Sequence, residues 1–508
     1  MKAFLRAFVD VGPALAAVFC IAVNAASAQS ELDRRGEAPA NPYAAGDVWG
    51  QFHRNGYAQA ATTARGPEAG DAFDVQYIAV PGRGGAPTQM HISEAYPDGS
   101  RTAWSTTLTH IVKARIKGEA FELADAYEIT GRALDWNIHW NMQLARGNTA
   151  FVPSPNTREI LRFGEAADES PMSKIIAEGA FALPEAVKGE PIVLNLSYDG
   201  WVIYVTDAAY IGAVRQDFSD HRFFDLGAAT NDLSTHNSFP MDENGNIYIA
   251  SFFAMTKVNW DGERFSLVWR APYNFRGENC PPANEKRQKE VFKAITGKSC
   301  TGTGTTPTLV GRDGMDELVV VVDSHRENNL VAFWRNEPPA DWTALPGQDR
   351  RVAGVLPLPH STWAGLGFTA ENSPPVSGYD IAVAQFAGLG VNPRCRRLRG
   401  GAPRGVQMAR WDPDANRLDL LRANPDTPFN NEMTISSGSG LLYGSGRDRN
   451  CQYVYRGLDR ATGDVAFEVP LGRSAKYVDG GNTNALLPDR SIVFGVRRGM
   501  VRLRPTRE

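Results

Sequence analysis

The chain has 508 residues, of which 43% are hydrophobic and 22% charged, with a formal net charge of −4. That composition supplies a large apolar core, excludes a disordered chain, and lacks the basic surplus on which nucleic-acid binding draws. The 49 glycines and 32 prolines suit many short strands and turns and leave little room for long helices.

Residues 1–28 have the layout of a secretory signal: Lys2 and Arg6 at the start, an apolar stretch over 14–23, and Ala26-Ser27-Ala28 before the cut. The stretch is short for a membrane span of about 20 residues. Cleavage before Gln29 and a periplasmic or secreted protein are therefore expected. The mature chain loses Lys2, Arg6 and Asp10 and becomes one unit more acidic. It also loses Cys20 and keeps Cys280, Cys300, Cys395 and Cys451, an even set that suits disulfides in an exported protein. Cys280 with Cys300 and Cys395 with Cys451 is the preferred pairing, three connectivities stay open, and no Cys-x-x-Cys spacing points to zinc. Residues 29–45, polar and rich in Ala, Pro and Gly, are expected to be a flexible lead-in.

From there on one pattern recurs over 46–508: a polar residue, a turn often made with Asp and Gly, then a short apolar run. Examples are Asn195-Leu-Ser-Tyr-Asp199-Gly200 before Trp201 to Val205, and Met241-Asp242-Glu-Asn-Gly245-Asn before Ile247 to Ala250. Further runs lie at 150–152, 318–322, 381–384, 441–443 and 492–496. Units that bury their apolar faces only against the next unit close into a ring, so the spacing predicts an all-β fold, a single β-propeller of seven or eight blades. The segment 77–123 would supply the eighth unit or close the ring, and a β-sandwich with appended domains is the architectural alternative. A helix is expected only over 284–296, inside a loop insertion at 270–303.

At Leu458-Asp459-Arg-Ala-Thr462-Gly463-Asp464, and again at Asp261-Gly262, a turn of Asp and Gly leads into an alternating strand. These segments resemble the outer hairpins of the quinoprotein-like propellers, which implies that architecture and, as one alternative, an oxidoreductase using pyrroloquinoline quinone. The quinoprotein alcohol dehydrogenases carry a vicinal Cys-Cys pair beside the cofactor, and this chain has none. The polar residues that open the repeats are similar in type to those of the gluconolactonase-like propellers, which hold a divalent ion over the tunnel with Glu, Asn and Asp. That resemblance implies Asn195, Glu371, Asn372, Glu432 and Asn484 as metal ligands.

If strands radiate from one axis, the residues opening the repeats converge: Asp135 and His139, Asn195, His236 and Asn237, Thr305 and Thr306, Glu371 and Asn372, Asn431 and Glu432, Asn482 and Asn484. Carboxylates and amide oxygens suit calcium, with imidazoles favouring a transition metal. His236 and His139 are candidate general bases, and Glu371 with Glu432 a candidate acid/base pair. Asp323-Ser324-His325 lacks the elbow of a serine nucleophile, Gly302-Thr-Gly304 has no Lys and helix for a phosphate loop, and Arg394 to Arg399 form a basic loop around Cys395. The expected function is metal-assisted hydrolysis or elimination of a small polar molecule or carbohydrate at the tunnel mouth, the third alternative being a non-catalytic binding or assembly propeller.

Overall fold

The structure is a computed structural model, described for residues 29–506 apart from 47–49, 51–54, 83–86, 88, 131–140, 168–169, 233–236, 252, 274–302, 324–327, 360–361, 364–365, 368–371, 385–404, 425–426, 428, 449, 451 and 479–482. It is an eight-bladed β-propeller. Blade 1 runs outward from the axis as His91–Ile92, Arg101–Thr106, His110–Lys117 and Ala120–Glu128. Blade 2 follows with Gln143–Ala145, Thr149–Ser154, Glu159–Glu165 and Ile175–Ala182. Blade 3 is Pro191–Leu196, Trp201–Thr206, Tyr210–Arg215 and His221–Asp225. In blade 4 a bridge from Met241 to Ile247 stands in for the innermost strand, inside Asn246–Ala250, Ala254–Trp260 and Phe265–Pro272.

Blade 5 comprises Thr308–Val310, Leu318–Val322, Asn329–Trp334 and Val352–Pro357, and blade 6 Val376–Ser377, Asp380–Ala384, Val406–Asp412 and Arg417–Asn424. Blade 7 is Thr434–Ser436, Leu441–Arg447, Tyr453–Asp459 and Val465–Gly472. Blade 8 has Asn484–Leu486, Ile492–Val496 and Gly499–Pro505 from the end of the chain, and its outermost strand is Phe73–Ala79 from the beginning, antiparallel to Gly499–Pro505. The stretch 77–123, read as an eighth unit or a closure, supplies both: the end of this closing strand and most of blade 1.

Ring closure follows from a period of two. In the second strand of blade 5, Leu318, Val320 and Val322 pack with blade 6, whereas Val319 and Val321 pack with blade 4. A strand apolar on both faces needs two neighbours, and every blade has them. Eight core clusters fill the eight junctions between adjacent blades, including the junction of blades 8 and 1, where Val493 and Met500 meet Ile92, Val112 and Ala114. All seven apolar runs read from the sequence are the second elements of their blades.

The Asp-Gly turns behave as expected. Asp459 Oδ1 accepts the Thr462 N–H at 2.7 Å and Gly463 takes φ 76°, a left-handed conformation that favours glycine. Asp261 Oδ1 accepts from the N–H groups of Glu263 and Arg264, both at 2.9 Å, and these bonds hold its carboxyl below the usual carboxylate range.

Over 29–45, expected to be a flexible lead-in, the structure shows local order. Residues 29–36 are helical, and Asp33 is buried against Arg460, whose guanidinium also bonds Asp380 at 2.8 Å. Ion pairs, backbone bonds and a few apolar contacts, Leu32, Ala38 and Ala45 packing against three different core clusters, hold the segment. The four cysteines, the helix expected over 284–296 and most of the insertion lie outside the described residues.

Two outcomes test this account. Leu318→Ala, fully buried between two blades, is expected to lower the unfolding free energy by about 2–5 kcal/mol in a denaturant titration. Asp33→Asn leaves Arg460 short of a buried partner, and a loss of about 3 kcal/mol is expected; an unchanged midpoint would mean that the N-terminal segment is not docked.

Candidate functional site at the tunnel mouth

Inner strands all begin at one end of the central tunnel, the leading mouth, and turn back at the other, the trailing mouth. Their edges face the axis, so main-chain groups there need partners. Polar side chains near the strand starts provide many of them by reaching to the next blade. Asn141 Nδ2 donates to Ile192 O at 2.6 Å and Gln143 Nε2 to Leu194 O at 3.0 Å, joining blades 2 and 3. Asn195, expected to open its repeat but fifth of the six residues of its strand, donates Nδ2 to Phe239 O at 3.1 Å, and Asn237 Nδ2 donates to Gly304 O. Ser373 Oγ accepts from Thr306 N at 2.9 Å, tying blade 5 to blade 6. Between blades 7 and 8, Asn431 Nδ2 donates to Asn484 Oδ1 at 2.9 Å and Asn484 Nδ2 to Glu432 O at 2.8 Å. Thr483 Oγ1 then accepts from Met90 N at 3.1 Å, reaching blade 1.

Of the residues singled out as metal ligands, Asn372, Glu432 and Asn484 come from consecutive blades 6, 7 and 8. Asn195 stands on blade 3, across the ring from blade 7. Asn195 and Asn484 spend both amide atoms on neighbours, since the Asn195 oxygen accepts from Leu196 N at 2.8 Å. Among the described residues no three His, Cys, Asp or Glu side chains are grouped as a metal centre. His139, His236 and Glu371 lie outside the described residues, as does Asn482.

Asn372 differs from the other amides. It is 2% exposed, and neither Oδ1 nor Nδ2 has a hydrogen-bond partner among the described residues. A buried carboxamide without partners costs about 1–3 kcal/mol, so a ligand or water that satisfies it is favoured. Around it the strand starts bring buried Ser373 and Thr306, while buried Glu432 begins the adjoining blade 7. The strand starts of blades 5 to 7 thus bring an amide, two hydroxyls and a carboxylate to one mouth, the Thr306 hydroxyl donating to Asn237 Oδ1 at 3.4 Å. Sequence reasoning placed Asn372 in the metal set; that its amide is unpaired depends on packing that no spacing reveals.

Two further groups of titratable residues are satisfied within the wall. Between blades 1 and 2 the buried Lys113 pairs with Glu165, which also accepts from Tyr96 Oη at 2.7 Å and Asn148 Nδ2 at 3.3 Å. Burial pushes the Lys113 ammonium down and the Tyr96 phenol up. On the outer strand of blade 3, His221 stacks on Tyr204 and Phe223 and shares a 2.8 Å hydrogen bond with the Tyr204 hydroxyl. Burial, reinforced by Arg222, pulls it down to about 4.

No family model matches the chain. It is 29% identical over 489 residues to an uncharacterised protein of Archaeoglobus fulgidus, covering 92% of this chain and 89% of that protein. In fold it is similar to the quinohemoprotein alcohol dehydrogenase from Comamonas testosteroni, with a TM-score of 0.53 over 94% of this chain and 83% of that one, at 11% identity. The quinohemoprotein alcohol dehydrogenase ADHIIG from Pseudomonas putida HK5 gives 0.52, 12% identity, and coverage of 91% and 82%. What these structures share with the chain is the fold, an eight-bladed β-propeller. At such identities the likeness concerns the ring of blades and does not extend to the residues at the mouth.

Replacing Asn484 by Ala removes a bond in each direction between blades 7 and 8 and is expected to cost about 1–3 kcal/mol in a denaturant titration. For His221 the folded-state pKa lies below the unfolded value, so its contribution is present above about pH 6.5 and is lost as pH falls toward 4. His221→Phe is therefore expected to flatten the fall in unfolding midpoint between pH 7 and pH 4, with an unchanged slope counting against it.

Proposed function

We propose that this is an exported propeller enzyme that binds a small polar molecule or carbohydrate at the leading mouth and cleaves it by hydrolysis or elimination. The observation that carries the reading is Asn372, a buried amide whose donor and acceptor both lack partners among the described residues. Adjacent hydroxyls of a sugar, or a carbonyl with its neighbouring hydroxyl, match such a pair. Glu432, buried on the next blade, is the group we assign to proton transfer, because a carboxyl can accept or donate a proton. The expected histidines, His236 and His139, and Glu371, which precedes Asn372 in the chain, remain candidates for the same chemistry.

Calcium fits the donor set in kind, since the Glu432 carboxylate and the Asn372 amide oxygen are hard oxygen ligands. When bound there it would supply Lewis acidity toward a carbonyl or water. Pyrroloquinoline quinone fits less well. It is a polycarboxylate, and among the described residues the strand-start side chains named above include Asn, Gln, Ser, Thr and Glu but neither Lys nor Arg. The fold likeness keeps quinone-dependent oxidation as the second reading, distinguished by whether the purified protein, given pyrroloquinoline quinone and calcium, develops a bound chromophore.

Calorimetric titration of the mature protein with neutral mono- and oligosaccharides and sugar lactones tests the first reading. Asn372→Ala is expected to weaken the binding member at least tenfold while keeping the unfolding midpoint. Glu432→Gln is expected to retain binding and lose turnover by about 100-fold or more. Unchanged binding and unchanged turnover in both folded variants would refute the assignment.

A further inference from the structure

We infer that the chain closes its own trailing mouth, making the tunnel a blind well open only at the leading end. Given the ligand site proposed above, the ligand is then a small molecule or the terminal unit of a chain, and not a polymer threaded through the ring.

The path of the N-terminal segment carries the inference. Ala45 N donates to Leu144 O at 3.0 Å and Ala44 bridges Ala145, so the segment is fixed to the inner strand of blade 2. Gly50, five positions on, accepts from Thr434 Oγ1 of blade 7 at 2.7 Å. Blades 2 and 7 stand three places apart on the ring. Both anchors are on inner strands, so Ala45 and Gly50 each lie against the wall of the bore.

Residues 55–62 follow the arc of blades 4 to 7. Gly56 O accepts from Met241 N of blade 4 at 2.7 Å, Tyr57 O from Leu309 N of blade 5 at 2.9 Å, Gln59 O from Val376 N of blade 6 at 2.8 Å, and Ala60 O from Ile435 N of blade 7 at 3.0 Å. Ala61–Thr62 finally pairs in parallel with Thr434–Ser436 along its inner edge. Successive carbonyls thus serve the inner edges of four consecutive blades. The fanning requires turns that side chains resist: Ala58 and Ala60 have φ of 55° and 46°, in the left-handed region. Such residues are strained and persist because the surrounding bonds fix them.

Side chains lock the segment in place. Gln59 is buried, accepts from Ala38 N at 2.9 Å, and donates to Gly36 O at 2.6 Å, joining residues 36–38 to the arc. At Gly56 an added Cβ would come 2.5 Å from Met241 O and 2.7 Å from the Tyr198 ring, so only glycine permits the approach to blade 4. A polymer passing through would have to displace all these bonds.

Hydrogen–deuterium exchange of the mature protein, with no ligand added, tests the inference. Residues 55–62 and the amides of Met241, Leu309, Val376 and Ile435 are expected to exchange at least about 100-fold more slowly than exposed turns. Gly56→Ala is expected to accelerate these peptides about tenfold and leave the outer strand Val465–Gly472 unchanged. Exchange of 55–62 in the unaltered protein as fast as exposed turns would overturn the proposal, and that measurement decides alone if the variant does not fold. Because it needs no ligand, its outcome is independent of whether the saccharide titrations succeed.

Discussion

Each blade of this protein is apolar on both faces, and that single constraint organises the rest. A sheet of three or four strands cannot shield two such faces unless it has a neighbour on either side, and a finite row of blades always leaves two faces bare. A closed ring removes the ends. The last junction is completed by Phe73–Ala79, which adds an N-terminal strand to the C-terminal blade and so ties the two ends of the chain together. Only because the ring is closed do Asn372, Glu432 and Asn484, spread over more than a hundred positions, stand on consecutive blades around one mouth.

Closure creates a second demand. Inner strands present their free edges to the tunnel, and the described structure satisfies them in two ways. At the leading end, amide and hydroxyl side chains reach from blade to blade. Toward the trailing end, the backbone of 55–62 provides acceptors one after another. The polar residues that look like a ligand set in the sequence are therefore of two sorts. Asn195 and Asn484 hold the ring together, whereas buried Asn372 has no partner for its amide among the described residues, and the proposed binding position rests on that difference.

The architecture was largely legible in the sequence because burial on both faces writes continuous apolar runs such as Leu318–Val322, and because Asp459 and Asp261 make their turns through local hydrogen bonds. Blade count was less so, since the eighth blade is assembled from both ends of the chain. The role of residues 29–62 was hidden. Carbonyl groups bonding to Met241, Leu309, Val376 and Ile435 belong to every residue type, so no composition reports them, and a segment of Ala, Pro and Gly reads as loose. At the site, residue types were readable but their commitments were not: whether an Asn bonds a neighbouring blade or waits for a ligand depends on packing.

A crystal structure of the mature protein at high resolution tests the central claim most directly. The account predicts residues 55–62 seated across the trailing mouth, and at the leading mouth a molecule that is not protein within hydrogen-bond distance of both Asn372 Oδ1 and Nδ2. An Asn372 amide bonded on both sides to the protein's own loops, above a bore open from end to end, would contradict it.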